Sequence, residues 1–557
     1  MKKINKFSLS MMLTIFLLFG CTDKFEEFKA DNVSLTKDDV SAKFFFTNTQ
    51  TNLWMPATWA YLFTHSMYGP AYGGYSSYGY KNSWEYPDVL FNESRSWGAS
   101  ALTWNTYSNY FLAIDGFLRL VKSDGLLPNE LMEAVGIIMK QTYYSTFTDL
   151  FGEVPYSQVG QEGVLTPVFD EQKDIYKGII TNLDLAMATI GSETSTGVAQ
   201  SVDDLGEFDI LFGGDLQKWK AFANGMKLRV ALRAKGAPGE DFADAAITAA
   251  LAAPLPAADV QIIKDLTVNW AVAAREGDFT KYNGSWKMAS DRFVNLLRDN
   301  DDPRMPQMLD PIPGGAVTFG LYNDNKAMVD YILDSTLSRA AVPFTKAESG
   351  DDLIVTIDPG TYYVGMPMRM VDIAKVHLDP GLFSRPGRRT EGSDDIGMED
   401  PQMIMSLAEV NFMKAEAALL GFGGDAQASL QAGITASFNQ WGVSDNGYLT
   451  SDLATLSGSV EEQLQQLGTQ AWIAYFMNDY QGFAIARDFN LAGITDPIPD
   501  DATLFNHTNE MGRVYPGRIK YGQPAYDLNG ANVSTAVGRQ GPDHAGTQLW
   551  FAKGSKN

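Results

Sequence analysis

Apolar residues return at helical spacing, between recognisable caps, in one segment after another of this 557-residue chain, and few segments show the strict alternation of a half-buried strand. That pattern restricts the fold to a mainly α architecture. Ile175, Ile179, Leu183, Ala186 and Ile190 fall on one face of a helix that Asp170 can cap and Gly191 can stop. Leu131, Val135, Ile138 and Thr142 stripe a second helix, which has to end before Gly152 and Pro155; the two are expected to pack as an antiparallel pair. Asp215 can cap a third, with Trp219, Phe222, Met226 and Val230 on its buried side and Lys220, Lys227, Arg229 and Arg233 elsewhere. The nearly all-apolar stretch from about Pro401 to Leu420 predicts a central helix. Leu464, Leu467, Ala471, Ala474 and Tyr475 predict another, from Val460 to about Tyr480.

Helix pairs recurring on the order of every 35 to 45 residues predict a tetratricopeptide-like helical-pair scaffold, although the literal repeat consensus is absent. The stretches from Trp54 to Trp104, Thr267 to Met398 and Asp496 to the end are rich in Gly, Pro, Asn and aromatic residues. They are expected to be long ordered loops, with a few short strands, decorating that scaffold where recognition concentrates.

The amino-terminal residues read as an address rather than as fold. Lys2, Lys3 and Lys6 precede an apolar run from Leu9 to Phe19, broken by Ser10 and Thr14 and followed by Gly20 and Cys21. This is an export signal, too short to span a hydrocarbon core of roughly 30 Å. Leu18, Phe19, Gly20 and Cys21 read like a bacterial lipobox, so Cys21 is expected to carry acyl chains, palmitate among them. Several such chains bury enough methylenes to hold a protein on a membrane. The acidic stretch Thr22 to Glu27 resembles a tag for the outer leaflet, or serves as a solvated tether. The expected organisation is a signal peptide over 1–20, a lipidated tether over 21–40 and a single ligand-binding domain over 41–557.

Cys21 is the only cysteine, which excludes an internal disulfide framework and a cysteine-based metal site. The formal charge is −24, and removing the three lysines of the signal takes it to −27. Phosphate binding needs a basic stripe that this chain lacks, so nucleic acid is not expected as a partner. His65, His377, His507 and His544 are scattered, and no triad, P-loop or zinc constellation accompanies them. Glu409 and Glu416 share a helix face, but seven residues of helix separate them by about 10.5 Å, and their neighbours are apolar. They are expected to be structural carboxylates rather than a glycosidase pair. Asp299, Asn300, Asp301 and Asp302 offer hard oxygen ligands without the spacing of an EF-hand, and read first as a helix end running into a polar turn.

Specific strings then resemble one family. TDLFGEVPYS over 148–157, followed by Phe169 and Asp170, looks like a "D-x-[FY]-G-x-V-P-Y" turn, and Trp219 to Asn224 with Leu228, Arg229, Ala231 and Arg233 is similar to a "W-x-x-F-A-N-x-L-x-L-R-x-A-x-R" helix. Asp302, Pro303 and Arg304 resemble a "D-P-R" element. MIMSLAEVNFMKAEAALL over 403–420 is the nearest match, and Arg513 to Pro516, Asn529, Asn532, Leu549 and Trp550 resemble a carboxy-terminal segment. These are motifs of the SusD/RagB-like nutrient-binding lipoproteins, spread in order over essentially the whole mature chain. The departures are Phe551, where many relatives carry a second tryptophan, and Asn224, Gly225 and Met226 in place of "A-N-S-L".

The resemblance implies a non-catalytic lid on a SusC-like TonB-dependent barrel in the outer membrane, taking up a saccharide or peptide at the cell surface. It implies no cofactor beyond a structural calcium of the kind some relatives hold. The tract from Tyr61 to Trp104 concentrates Tyr, Trp and Gly, and sugars stack their apolar C–H faces on aromatic rings. Tyr78, Tyr80, Trp84 and Trp97 are the expected ligand contacts, in a region where relatives place binding residues. Tyr282 and Trp286 form a second candidate pair, whereas Trp54, Trp59 and Trp104 are expected to be core. Uncharged aromatic loops favour a glycan. A peptide ligand is the runner-up, and a surface glycosidase is the competing class.

Overall fold

The computed structural model describes residues 41–54, 64, 68–77, 98–197, 204–262, 288–370, 380–387, 401–476, 478–505, 507, 511–554 and 556. Helix α1 (Ala42–Trp54) is followed by the two-residue strand β1 (Ser76–Ser77) and by α2 (Gly98–Val121), which packs on α1. Each helix then packs on the next: α3 (Glu130–Phe151), α4 (Gln172–Ile190), α5 (Leu216–Ala234) and α6 (Ala243–Leu251). Between α3 and α4 lies a short antiparallel pair, β2 (Val154–Pro155) with β3 (Phe169–Asp170).

After β4 (Val260–Ile262) and β5 (Met288–Ala289) the chain forms α7 (Asp291–Asp299) and a small unit with its own apolar cluster. There β6 (Gly315–Phe319), α8 (Lys326–Leu333), β7 (Phe344–Ser349) and β8 (Asp352–Ile357) give a three-stranded antiparallel sheet with β8 central. Leu353, Val355 and Ile357 of β8 are buried in alternation. The helical scaffold resumes after β9 (Gln402–Met405) with α9 (Leu407–Leu419), α10 (Ala426–Trp441), α11 (Val460–Ala474) and α12 (Asp479–Asp488); α13 (Gln523–Gln540) packs on α2 and β3. The fold is the expected helical-pair scaffold with long loops and short strands.

Local chemistry explains the boundaries. Asn129, Asp215 and Asp425 accept backbone N–H bonds as N-caps of α3, α5 and α10, and Ser459 with Glu462 forms a reciprocal capping box on α11. Asp170, expected to cap α4, instead sits in β3 and takes bonds from Tyr156 N, Ser157 N and Ser157 Oγ; Glu171 stands at the N-cap. The stretch expected to be one helix from Pro401 splits, because Ser406 caps α9 and the residues before it pair with β4. The helix expected to run to Tyr480 ends at Ala474, and α12 restarts it. Of the three expected loop stretches, the second holds the sheet of β6 to β8 and the third holds α13.

The cations expected away from the buried face of α5 are the largest correction. Lys227, Arg229 and Arg233 are about 95% buried (5%, 5% and 3% exposed). Arg229 meets Glu409 of α9 through Nε and Nη2 at 2.5 and 2.8 Å, and Arg233 donates to Asp149 of α3, which also accepts from Tyr176. Arg487 of α12 donates to the Asp149 carbonyl at 2.9 Å. Two helices, α3 and α9, are thereby tied to α5 by charge, and α12 is tied to α3. The fully buried Arg304 pairs with Asp302 at 2.6 Å and reaches Ser437 of α10 and Gln470 of α11. Asp302 is thus committed to an arginine, and Asp299 pairs with Arg298 and Arg339, so these two carboxylates sit in ion pairs.

Breaking one side of such a pair leaves a buried charge uncompensated. Arg229→Met is expected to lower the urea-unfolding free energy by about 3–5 kcal/mol, while Arg229→Met with Glu409→Met recovers most of the loss. A double variant no more stable than the single one would show that the pair is not the cause.

A third ionic cluster joins Lys556 Nζ to Glu416 at 2.5 Å and to Asp488 at 2.7 Å. Burial pushes Asp488 up to about 7; Lys556 opposes that shift and Glu416 adds to it. A carboxyl whose folded-state pKa is raised favours the folded state below its ordinary range near 4 and loses that contribution as pH rises towards 7. Without Lys556 the folded-state pKa climbs further. The stability deficit of Lys556→Gln relative to the parent is therefore expected to widen from about pH 5 to about pH 8 in parallel denaturant titrations.

Candidate functional site

Strands β1 and β5 pair antiparallel, Ser76 opposite Ala289 and Ser77 opposite Met288. Gly74 to Ser77 is held from below. Gly74 has φ +81°, a conformation that suits glycine, and its carbonyl accepts from Ser290 Oγ at 2.6 Å. Tyr75 is fully buried, stacked on Trp472 with centroids 4.6 Å apart, and donates to the Trp472 carbonyl at 2.6 Å.

A third segment closes the platform. Ser77 Oγ donates to the Pro367 carbonyl at 3.1 Å, Met366 and Ala289 bond through Met366 N at 2.9 Å, and Asp291 N donates to the Met366 carbonyl at 2.9 Å. Arg369, at φ +59°, donates to the carbonyls of Val514 and Gly512 at 3.1 and 2.6 Å. Arg292 reaches the carbonyls of Ile494 and Asp496, and Tyr515 donates to the Tyr72 carbonyl at 2.5 Å. The hollow among these residues measures about 10 Å³, room for one water. Burial holds the Asp291 carboxyl above its usual range, with Arg292 and backbone N–H groups pulling it down.

Ser77 and Met288 are the described ends of two long segments, 78–97 and 263–287. All six expected ligand contacts, Tyr78, Tyr80, Trp84, Trp97, Tyr282 and Trp286, fall in those two segments and lie outside the described residues, as do the expected anchor Cys21 and the expected core residue Trp59. One end of each segment, Ser77 before the first and Met288 after the second, thus lies at one paired strand position, while the other ends adjoin α2 and β4. The earlier part of the aromatic tract is structural: Tyr68, Tyr72 and Tyr75 are buried, as are Trp54 and Trp104. The sequence reading missed Asp291, Arg292 and Arg369, which have no motif; Arg369 betrays itself only through its backbone angle.

The shared root gives a direct test. Directly opposed antiparallel residues have Cα atoms about 4.5–5.5 Å apart, within the range a disulfide bridges. In a chain lacking Cys21, Ser77→Cys with Met288→Cys is expected to oxidise to one disulfide, leaving no thiol titratable after denaturation; two persistent thiols would place the segments' roots apart.

The carboxylates once weighed for hydrolysis are occupied elsewhere. Glu409 pairs with Arg229 and Glu416 with Lys556. His544 accepts from Gly546 N and His507 contacts the Pro499 carbonyl, both local turns. Among the described residues no group of three or more His, Cys, Asp or Glu is placed to hold a metal ion, and no helix is long and apolar enough to cross a membrane.

Comparison with known proteins bears on the same region. A SusD-like family profile, described as starch-binding and associating with the outer membrane, matches residues 38–516. A solved SusD homologue from Bacteroides uniformis superposes with a TM-score of 0.69 at 20% identity, covering 92% of this chain and 100% of the other. A chitin-binding SusD homologue from Flavobacterium johnsoniae gives 0.68 at 20% identity over 92% and 98%, and a SusD homologue from Bacteroides vulgatus gives 0.68 at 18% over 92% and 98%. No curated protein sequence matches the chain.

Proposed function

The chain belongs to the SusD-like family, and on that premise we propose that it is a cell-surface lipoprotein, anchored through acylated Cys21, that captures a nutrient glycan and delivers it to a SusC-like TonB-dependent transporter in the outer membrane. It performs no catalysis in this reading. The observation that supports it most is the pairing of Ser77 with Met288, which brings one end of each aromatic tract to a shared ladder. Aromatic rings stack on sugar faces, and Asn82, Glu85, Asn92 and Arg95 lie in the first tract as partners for hydroxyls. The engagement of Asp149, Glu409 and Glu416 in buried ion pairs supports binding over hydrolysis. The chitin-binding description of the Flavobacterium homologue supports a glycan over a peptide.

Calorimetric titration of the mature protein lacking Cys21 against oligosaccharides of starch and chitin type, alongside peptides, tests the reading. Saturable binding of one glycan class without release of reducing ends is expected. Trp84→Ala or Trp97→Ala is expected to weaken it by about fivefold or more, since a lost stacking face is worth roughly 1 kcal/mol or more. Binding of peptides alone, weakened by Trp84→Ala or Trp97→Ala, would move the ligand to the runner-up class, and turnover of any glycan would sink the non-enzymatic assignment.

A further inference from the structure

Away from the platform, α2, α3 and the strap 159–165 enclose a cleft of about 920 Å³, within the range that holds a small organic ligand. From Gly98, where segment 78–97 joins α2, to Asp115 at the cleft is 17 residues of helix, about 25 Å. The cleft thus lies well away from the described end of that segment. The strap is tethered at one end by Asp170, which binds Ser157, and Gly160 at φ +81° passes so near α2 that a Cβ there would lie 3.1 Å from Asp115 Oδ1.

Glu162 on the strap is exposed to solvent, and three of the other charges at the cleft are matched: Arg119 pairs with Asp115 at 2.6 Å and Lys122 with Asp124 at 3.1 Å. Two on α3 are not. Lys140 stands over the rings of Phe111 and Tyr144, with Nζ 5.5 and 6.0 Å from their centroids, and has no ion pair or hydrogen-bonded acceptor among the described residues. The Glu133 carboxylate likewise has no cation or donor bonded to it among them. Burial is the main cause of both their shifts, lowering the Lys140 ammonium and raising the Glu133 carboxyl, so each charge stands where it is penalised.

Glu133 and Lys140 are seven residues apart on one helix face, about 10.5 Å of rise, too far to satisfy each other. Ile137 lies between them, and Leu118 and Val164 add apolar wall.

We propose that this cleft is a second binding site, for a linear zwitterion with an apolar middle: a short peptide with free ends, its carboxylate on Lys140 and its ammonium on Glu133. An extended chain advances about 3.3–3.6 Å per residue, so opposite ends about 10 Å apart correspond to roughly three residues. The site is independent of glycan capture, and either can fail without the other.

The probe is Ala-Leu-Ala, titrated calorimetrically into the mature protein in four forms: free, N-acetylated, C-amidated and doubly blocked. The free tripeptide is expected to bind saturably, with each block costing about tenfold in affinity, which is 1.4 kcal/mol. In Glu133→Gln acetylation should cost nothing further, and in Lys140→Met amidation should cost nothing further, while both variants keep the parental melting temperature and glycan binding. No binding of the free tripeptide, equal binding of the blocked forms, or variants in which the blocks still act in full would overturn the proposal.

Discussion

The Asp149 carboxylate is the point on which the helical scaffold turns. It sits at the end of α3, accepts from Arg233 of α5 and Tyr176 of α4, and its own backbone carbonyl takes Arg487 of α12. One residue thereby fixes the relative position of four helices in a medium where an unmet charge is costly. Four residues away along α5, Arg229 repeats the device toward Glu409 of α9. Helices meeting through apolar surface alone can slide by a ridge; helices meeting through a forked guanidinium and a carboxylate cannot, because both donors must find their acceptors at once.

This explains why the motif strings are informative. Asp149, Arg229, Arg233, Asp302, Arg304, Glu409 and Glu416 all belong to the strings that carry the family resemblance, and each is engaged in a buried ion pair. They describe how the scaffold is locked, so they identify the fold and are silent about the ligand.

Helix existence was legible because caps and stops are local: Asp215, Ser459 with Glu462, and Gly191 act within a few residues of themselves. What was not legible depended on partners distant in sequence. Asp170 abandons a capping role because Tyr156 and Ser157 offer their N–H groups across the β2–β3 turn. Gln402 to Met405 looks helical by composition and becomes a strand because Val260 to Ile262 lies alongside. Lys227, Arg229 and Arg233 look like an exposed face of α5 until their acidic partners on other helices are known. For the site, the aromatic segments were readable as segments, whereas their common root was not, since β1 and β5 are two residues each and carry no pattern of their own.

That brevity has an evolutionary consequence. Ser77, just before segment 78–97, and Met288, just after segment 263–287, share a two-residue ladder whose side chains, Ser76, Ser77, Met288 and Ala289, are buried and uncharged, and the ion pairs of the helices lie elsewhere. The ladder itself is held by backbone bonds, so a lineage can exchange these four residues for others that fit without disturbing the ion pairs of the helices. An architecture of this kind separates what fixes the helices from what joins two distant stretches of chain.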